Sequence, residues 1–264
     1  MSLRTSKSTD TGQGMSALSL PIRLSVAAPA YNEAAGIEAV IANWHDFLST
    51  QTTILAEFEI VVCNDGSTDR TGDILDRLTL PFPQLRPLHF AKNQGAAAAL
   101  NAAIAATKGD WVLLIDSDGQ FAIQNLPAML EALQRSGGLA AIGIRQKKDA
   151  AFAQFGSWAS GLACNLVHGS RMRDFNSAFK LVRGPLLRGL GLEAKGMNYS
   201  TEVTSRLLER GIVPVEVEIE HRPRATGTSH MRLLRGALHR FLFVCYIALR
   251  QLLLKLGILS RPKP

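Results

Sequence analysis

Three apolar runs in the first half of the chain each stop at a small polar loop that leads into a helical pattern. They are Leu24–Ala28, Phe58–Cys63 and Trp111–Ile115. Their length and composition read as strands buried in a sheet covered on both faces. Strand, loop and helix repeated in this order predict an α/β fold. Its mostly parallel, twisted sheet is joined by right-handed crossovers. Ligands of such sheets bind outside the carboxyl ends of the strands, so the loops carry the chemistry. The third loop is Asp116-Ser117-Asp118. Two carboxylates at a strand end suit a hard divalent cation that bridges to substrate phosphates.

The pattern places strands near 23–28, 58–63, 86–90, 111–116 and 139–144, with helices near 33–48, 70–78, 95–107 and 124–135. From residue 145 the alternation gives way. A helix is expected over 150–168, where Phe152, Phe155, Trp158, Leu162 and Leu166 recur at spacings of three and four. A loop and strand follow across 171–183, then a helix near 199–210 and a strand near 212–219. The polar loop His221–His230 precedes a long helix of mixed apolar and basic residues. One domain over 21–230 is expected. It follows a Ser-, Thr- and Gly-rich extension (1–20) read as disordered and precedes a basic amphipathic tail (231–264). The extension lacks the apolar core of a signal peptide.

Charge is informative by its placement. The chain carries a net +7, yet after Glu220 there are nine Lys and Arg and no acidic residue. The rest of the chain is therefore slightly acidic. That argues against nucleic acid as a partner and for an anionic membrane surface or a phosphate-bearing substrate. In the last helix Arg232, Arg235, His239 and Arg250 fall within about 60° on a helical wheel. The stretch Phe241–Leu249 between Arg240 and Arg250 is only nine residues long, whereas a membrane span needs about 20. A helix lying in the bilayer interface or docked on a membrane protein is expected, at the cytoplasmic face; an ordinary core helix is the alternative. Cys63, Cys164 and Cys245 sit in apolar surroundings without metal spacing, so they read as reduced core residues.

Pro29-Ala30-Tyr31-Asn32-Glu33, Asn64-Asp65-Gly66-Ser67-Thr68-Asp69 and Asp116-Ser117-Asp118 resemble the ordered motifs of family 2 inverting glycosyltransferases. Lys92-Asn93-Gln94-Gly95, with its Ala-rich helix and Lys108-Gly109-Asp110, resembles the family's lead-in to the metal motif. Later segments resemble the branch of dolichol- and polyprenyl-phosphate sugar synthases, and the likeness covers roughly residues 22–235. The resemblance implies a glycosyltransferase A-type fold. It implies transfer of a sugar, with inversion, from a nucleoside-diphosphate donor to a polyprenyl phosphate, with Mg²⁺ or Mn²⁺ as cofactor.

The resemblance puts Asp118 on the metal and Asp116 near the ribose or metal. It assigns Ala28, Pro29, Tyr31, Glu33 and Asp65 to the base and ribose, while Asn32 fixes the loop. Ser117 belongs to the same donor motif. Position 64 is Asn where many relatives carry Asp. Gly95 suits close backbone approach to a ligand, and Lys92 beside it is a donor-site candidate; a plain helix start is the alternative. Gln120 is either a donor contact or an exposed loop residue. Ser67 or Thr68 reads best as an N-cap of the next helix.

On the acceptor side the resemblance points to Arg145, to Asp174 with Phe179-Lys180-Leu181-Val182-Arg183, and to Glu202, whose alternative is a first-turn acid favoured by the helix dipole. Arg222-Pro223-Arg224-Ala225-Thr226-Gly227-Thr228-Ser229-His230 matches the branch's Arg-x-x-Gly-x-Ser-Lys pattern, with His230 in place of Lys. Two guanidinium forks, hydroxyls and a glycine suit phosphate oxygens. A phosphate acceptor is already ionised near neutrality, with a second pKa of roughly 6, and needs no general base. A hydroxyl of a lipid or glycan would need one, and Asp174 is the candidate. A non-catalytic nucleotide-sugar-binding subunit of a membrane complex is a further alternative. A dehydrogenase is disfavoured because no Gly-x-Gly-x-x-Gly follows the first strand.

Overall fold

The sheet order is β3-β2-β1-β4-β6-β5-β7, so the chain reverses its direction of growth between β1 and β4. In open α/β sheets that switch opens a crevice at the carboxyl ends of the two strands. The computed structural model describes residues 18–145, 151–194, 198–220 and 233–259. The polar loop with Arg222, Arg224, Ser229 and His230 lies outside the described residues, as does nearly all of the 1–20 extension.

β1 (Ile22–Ala30), β2 (Leu55–Asn64), β3 (Leu85–His89) and β4 (Trp111–Leu114) are mutually parallel. The helices between them are α1 (Ile37–Thr50), α2 (Thr71–Leu78) and α3 (Ala96–Ala106). β1 and β4 are buried on both faces because their residues are almost all apolar or small. Trp44, Trp111 and Leu100 are among the largest side chains sealed in the core. α4 (Leu126–Ser136), begun by a short 3-10 turn, leads to β5 (Ala140–Arg145).

The sheet is mostly parallel, as expected, and its exception is β6 (Lys180–Arg183). This strand enters between β4 and β5 and runs antiparallel to both. Its direction sets its first residue, Lys180, opposite Leu114 at the end of β4, next to the acidic motif. α5 (Ala151–His168) precedes β6; α6 (Gly184–Arg188), α7 (Tyr199–Glu209), β7 (Val215–Ile219) and α8 (Leu233–Lys255) follow it. β7 pairs parallel with β5 at the edge.

α8 differs from its expected character in two respects. Arg250, placed by the helical wheel on a basic face, turns inward and pairs with Glu209 Oε2 at 3.0 Å. The side chains of Arg235 and His239, and Arg232 altogether, lie outside what the structure describes. The outward face instead carries Phe241, Leu242, Leu249, Leu252 and Leu256. Cys245 lies on this face and is exposed, unlike Cys63 and Cys164, whose thiols burial pushes up to about 12. Among the described residues no helix is long and apolar enough to cross a membrane.

Candidate active site

The loops after β1, β2, β3 and β4 meet at the β1–β4 switch, and hydrogen bonds between them fix their shapes. Asn32 sits in the left-handed region at φ 54°, a conformation that Asn tolerates better than most residues. Its backbone N–H donates to Ser67 Oγ at 3.0 Å, and its side-chain oxygen accepts from Thr68 N at 2.9 Å. Glu33 N donates to Thr71 Oγ1 and Ala34 N to Asp69 Oδ2. The loop after β1 is thereby laced to the loop after β2, with Tyr31 and Glu33 half-buried at its tip. Ser67 and Thr68 are spent on this lacing rather than on capping α2. Asp69 accepts the Thr71 N–H in their place.

The loop after β2 also grips the loop after β3. Asp65 is buried, and its two oxygens accept from Gln94 N at 2.7 Å and Gly95 N at 2.9 Å. A carboxylate has about four lone-pair sites, so Asp65 holds the Lys92–Gly95 loop and keeps capacity for a ligand. The loops pass so closely that a Cβ on Gly66, at φ +63°, would lie 2.6 Å from Asn93 N. Only glycine fits there. Lys92 itself is exposed.

At the end of β4, Ser117 Oγ donates to Pro29 O at 2.7 Å, so Ser117 ties β4 to β1 and its hydroxyl faces the protein. Asp118 Oδ1 accepts from Gln120 N at 3.1 Å, which shapes the turn around Asp118. Asp116 accepts a hydrogen bond from the Tyr199 phenol. Burial and the like charge of Asp118 raise the Asp116 pKa to about 6, against the pull of Tyr199, Arg145 and Lys180. Adjacent carboxylates held in such tension are what a divalent cation relieves. Among the described residues no group of three or more His, Cys, Asp or Glu is placed to hold an ion. A pair of carboxylates suits a cation that draws its remaining ligands from phosphates and water.

Asp174 reaches the same corner from the loop before β6. Its carboxylate is bound by Arg145 in a fork, Nε to Oδ2 at 2.8 Å and Nη2 to Oδ1 at 2.9 Å. Lys180 is sealed beneath, 1% exposed, donating to Ser177 O and to Ser200 Oγ. Burial lowers its pKa to about 7, against the attraction of Asp174 and Asp116. Arg145, Asp116 and Asp174 are thus brought together.

Glu202 is not turned to this corner. Its oxygens accept from Glu193 N and Ala194 N at 2.7–3.0 Å and pair with Arg206, so it braces the segment before α7. Tyr199 and Ser200 are the site residues that sequence reasoning missed. Neither belongs to a motif, and α7 carries them to the site from 83 residues beyond Asp116.

The mostly parallel sheet with an Asp-x-Asp pair at its switch point has a GT-A-like fold, shared with solved structures at TM-scores near 0.6. The chain belongs to glycosyl transferase family 2, which residues 25–181 match. It is 28% identical over 215 residues to the undecaprenyl-phosphate mannosyltransferase of Micrococcus luteus, covering 77% of this chain and 85% of that protein. It is 37% identical over 93 residues to a dolichyl-phosphate beta-glucosyltransferase of Trichomonas vaginalis, covering 34% of this chain and 28% of that protein. A bactoprenol glucosyl transferase of Shigella phage SfX is 34% identical over 113 residues, covering 43% and 36%. These names support the polyprenyl-phosphate sugar synthase-like branch. Glucosyl-3-phosphoglycerate synthase from Mycobacterium tuberculosis, solved with Mn²⁺, UDP-glucose and glycerol 3-phosphate, superposes with a TM-score of 0.62 at 21% identity. That match covers 92% of this chain and 81% of the synthase.

Proposed function

We propose that the protein transfers one sugar from a nucleoside-diphosphate donor to a polyprenyl phosphate at a membrane surface, with inversion. The carrying observation is the Arg145–Asp174 fork. A hydroxyl acceptor needs a carboxylate base, and Asp174 would have to give up its two-point ion pair with the Arg145 guanidinium to take a proton. A phosphate acceptor arrives ionised and asks only for positioning and charge.

Tyr31, Glu33 and Asp65 would receive the base and ribose. Pro29, Ser117 and Gln120 shape the donor crevice, and Lys92 and Gly95 border it. Asp116 and Asp118 would hold Mg²⁺ or Mn²⁺ against the diphosphate; such an ion supplies Lewis-acid stabilisation of the departing nucleoside diphosphate. Arg145 would serve the acceptor phosphate, with Arg222, Arg224, Ser229 and His230 as further phosphate-binding candidates. Glu202 acts on the acceptor side only through its brace.

Two features support a lipid. A groove of about 580 Å³ runs between α5 and residues 170–176, with Trp158, Leu162 and Leu166 along one wall. Arg171, Arg173 and Asp174 also line it. Trp158 (57% exposed) and Leu166 (76% exposed), together with the outward stripe of α8, present more apolar surface than water-facing helices usually carry. We assign these faces and the 231–264 tail to a membrane surface or a membrane-protein partner.

The test is to incubate the purified protein with a panel of nucleotide sugars, Mn²⁺ and polyprenyl phosphate and identify products by mass. The reading predicts a polyprenyl phosphate enlarged by one sugar. Transfer only to a glycan, or donor binding with no transfer to any acceptor, would contradict it.

A further inference from the structure

The first half of α7 is anchored on every side that the structure describes. Ser200 Oγ donates to the carbonyl of Asn176 at 2.9 Å, and Thr201 Oγ1 to the Asn176 side chain at 2.7 Å. Thr204 Oγ1 donates to Phe175 O at 3.0 Å. Glu202 is clamped by two backbone amides and by Arg206, whose Nη2 also donates to the Tyr246 hydroxyl of α8 at 3.1 Å. Tyr199, the first residue of this anchored helix, is 5% exposed. Its phenol donates to Asp116 Oδ1. The helix fixes the phenol, and the phenol fixes the carboxylate.

That geometry has a chemical consequence. A carboxylate on a short side chain can turn about its last bond, and a cation site needs it held in one orientation. The phenol occupies one oxygen of Asp116 and leaves Oδ2 for a ligand. We propose that Tyr199 is a positioning residue for the metal motif, holding Asp116 so that its second oxygen faces the cation and the donor diphosphate. This rests on the reading of Asp116 and Asp118 as cation ligands. Partners of this kind around metal ligands set affinity as well as orientation. Tyr199 has no other assigned part in the reaction, because its hydroxyl is directed at Asp116.

The substitution is Tyr199→Phe, which deletes the hydroxyl and keeps the ring. Mn²⁺ binding is measured by electron paramagnetic resonance with a nucleoside diphosphate present, for the wild type, Tyr199→Phe and Asp118→Asn. Tyr199→Phe is expected to bind Mn²⁺ about 10- to 100-fold more weakly. Its turnover should recover as Mn²⁺ is raised, with the acceptor KM unchanged. A variant of lowered stability stays readable, because the rise in melting temperature on adding Mn²⁺ is compared within that variant. Equal Mn²⁺ affinity in the wild type and Tyr199→Phe, with Asp118→Asn weakened, overturns this proposal alone. Equal affinity in the wild type and Asp118→Asn overturns the cation reading beneath it.

Discussion

Arg145 grips Asp174 with two parallel hydrogen bonds of 2.8 and 2.9 Å, and the Asp174 side chain is 2% exposed. Arg145 is the last residue of β5 and Asp174 lies in the loop before β6, so the fork is also a clasp. It joins the end of β5 to the loop that launches β6. Removing one member of a buried pair leaves the other charge uncompensated and costs about 3 kcal/mol or more. Asp174→Asn is therefore expected to lower stability by about 3 kcal/mol, read by denaturant unfolding. Combining it with Arg145→Met should cost less than the sum of the single changes. Unchanged stability with turnover reduced by several orders would instead make Asp174 a base for a hydroxyl acceptor.

Asp118→Asn keeps the side-chain oxygen that accepts from Gln120 N, so the turn should persist. It removes the charge that a cation needs. Stabilisation worth several kcal/mol corresponds to a loss of about a thousandfold in turnover. Melting temperature should stay near wild type, and chelation of the wild type should reproduce the loss. Near-normal turnover in the variant would remove Asp118 from the metal site.

β1, β4 and the second half of β2 were legible because burial on both faces forces continuous apolar runs, and such runs are visible without a partner. The loops that follow them were legible because cation and phosphate chemistry needs particular residue types. β6 was readable as a strand but not as an antiparallel insertion, since its neighbours lie far from it in sequence. The same holds for Tyr199, which nothing local marks as a partner of Asp116. Arg250 misled the helical wheel because its partner Glu209 sits on another helix. Glu202 looked like a site acid, yet it satisfies backbone amides that no pattern displays.

His168, at the end of α5, accepts from Gln251 of α8 through Nδ1 at 2.9 Å and stacks on Phe175. Burial, aided by Lys255, lowers its pKa to about 4 from the ordinary 6.5. Between those values the unfolded chain binds the proton and the folded one does not. The contribution is complete above about pH 6.5 and fades as the pH falls toward 4. A loss on the order of 2–3 kcal/mol is expected across that window. His168→Leu should flatten this part of the stability curve. An unaltered pH profile would mean that His168 is not held neutral.

Leu249 and Leu252 face outward from α8, each more than half exposed. Leu249→Asp with Leu252→Asp should leave stability within about 0.5 kcal/mol per site. Sedimentation with anionic vesicles should drop sharply, while nucleotide binding, proposed above for loops before residue 121, should persist. Raising salt should weaken wild-type sedimentation without abolishing it, since only the electrostatic part is screened. Equal sedimentation of both proteins would assign this face to something other than lipid.

The central claim is that the acceptor brings its own negative charge, so no side chain has to take a proton from it. The direct measurement supplies the same polyprenyl chain either as phosphate or as free alcohol, with one nucleotide sugar and Mn²⁺, and counts product by mass. Product is expected from the phosphate and none from the alcohol. Comparable product from the alcohol, or from the alcohol alone, would contradict it.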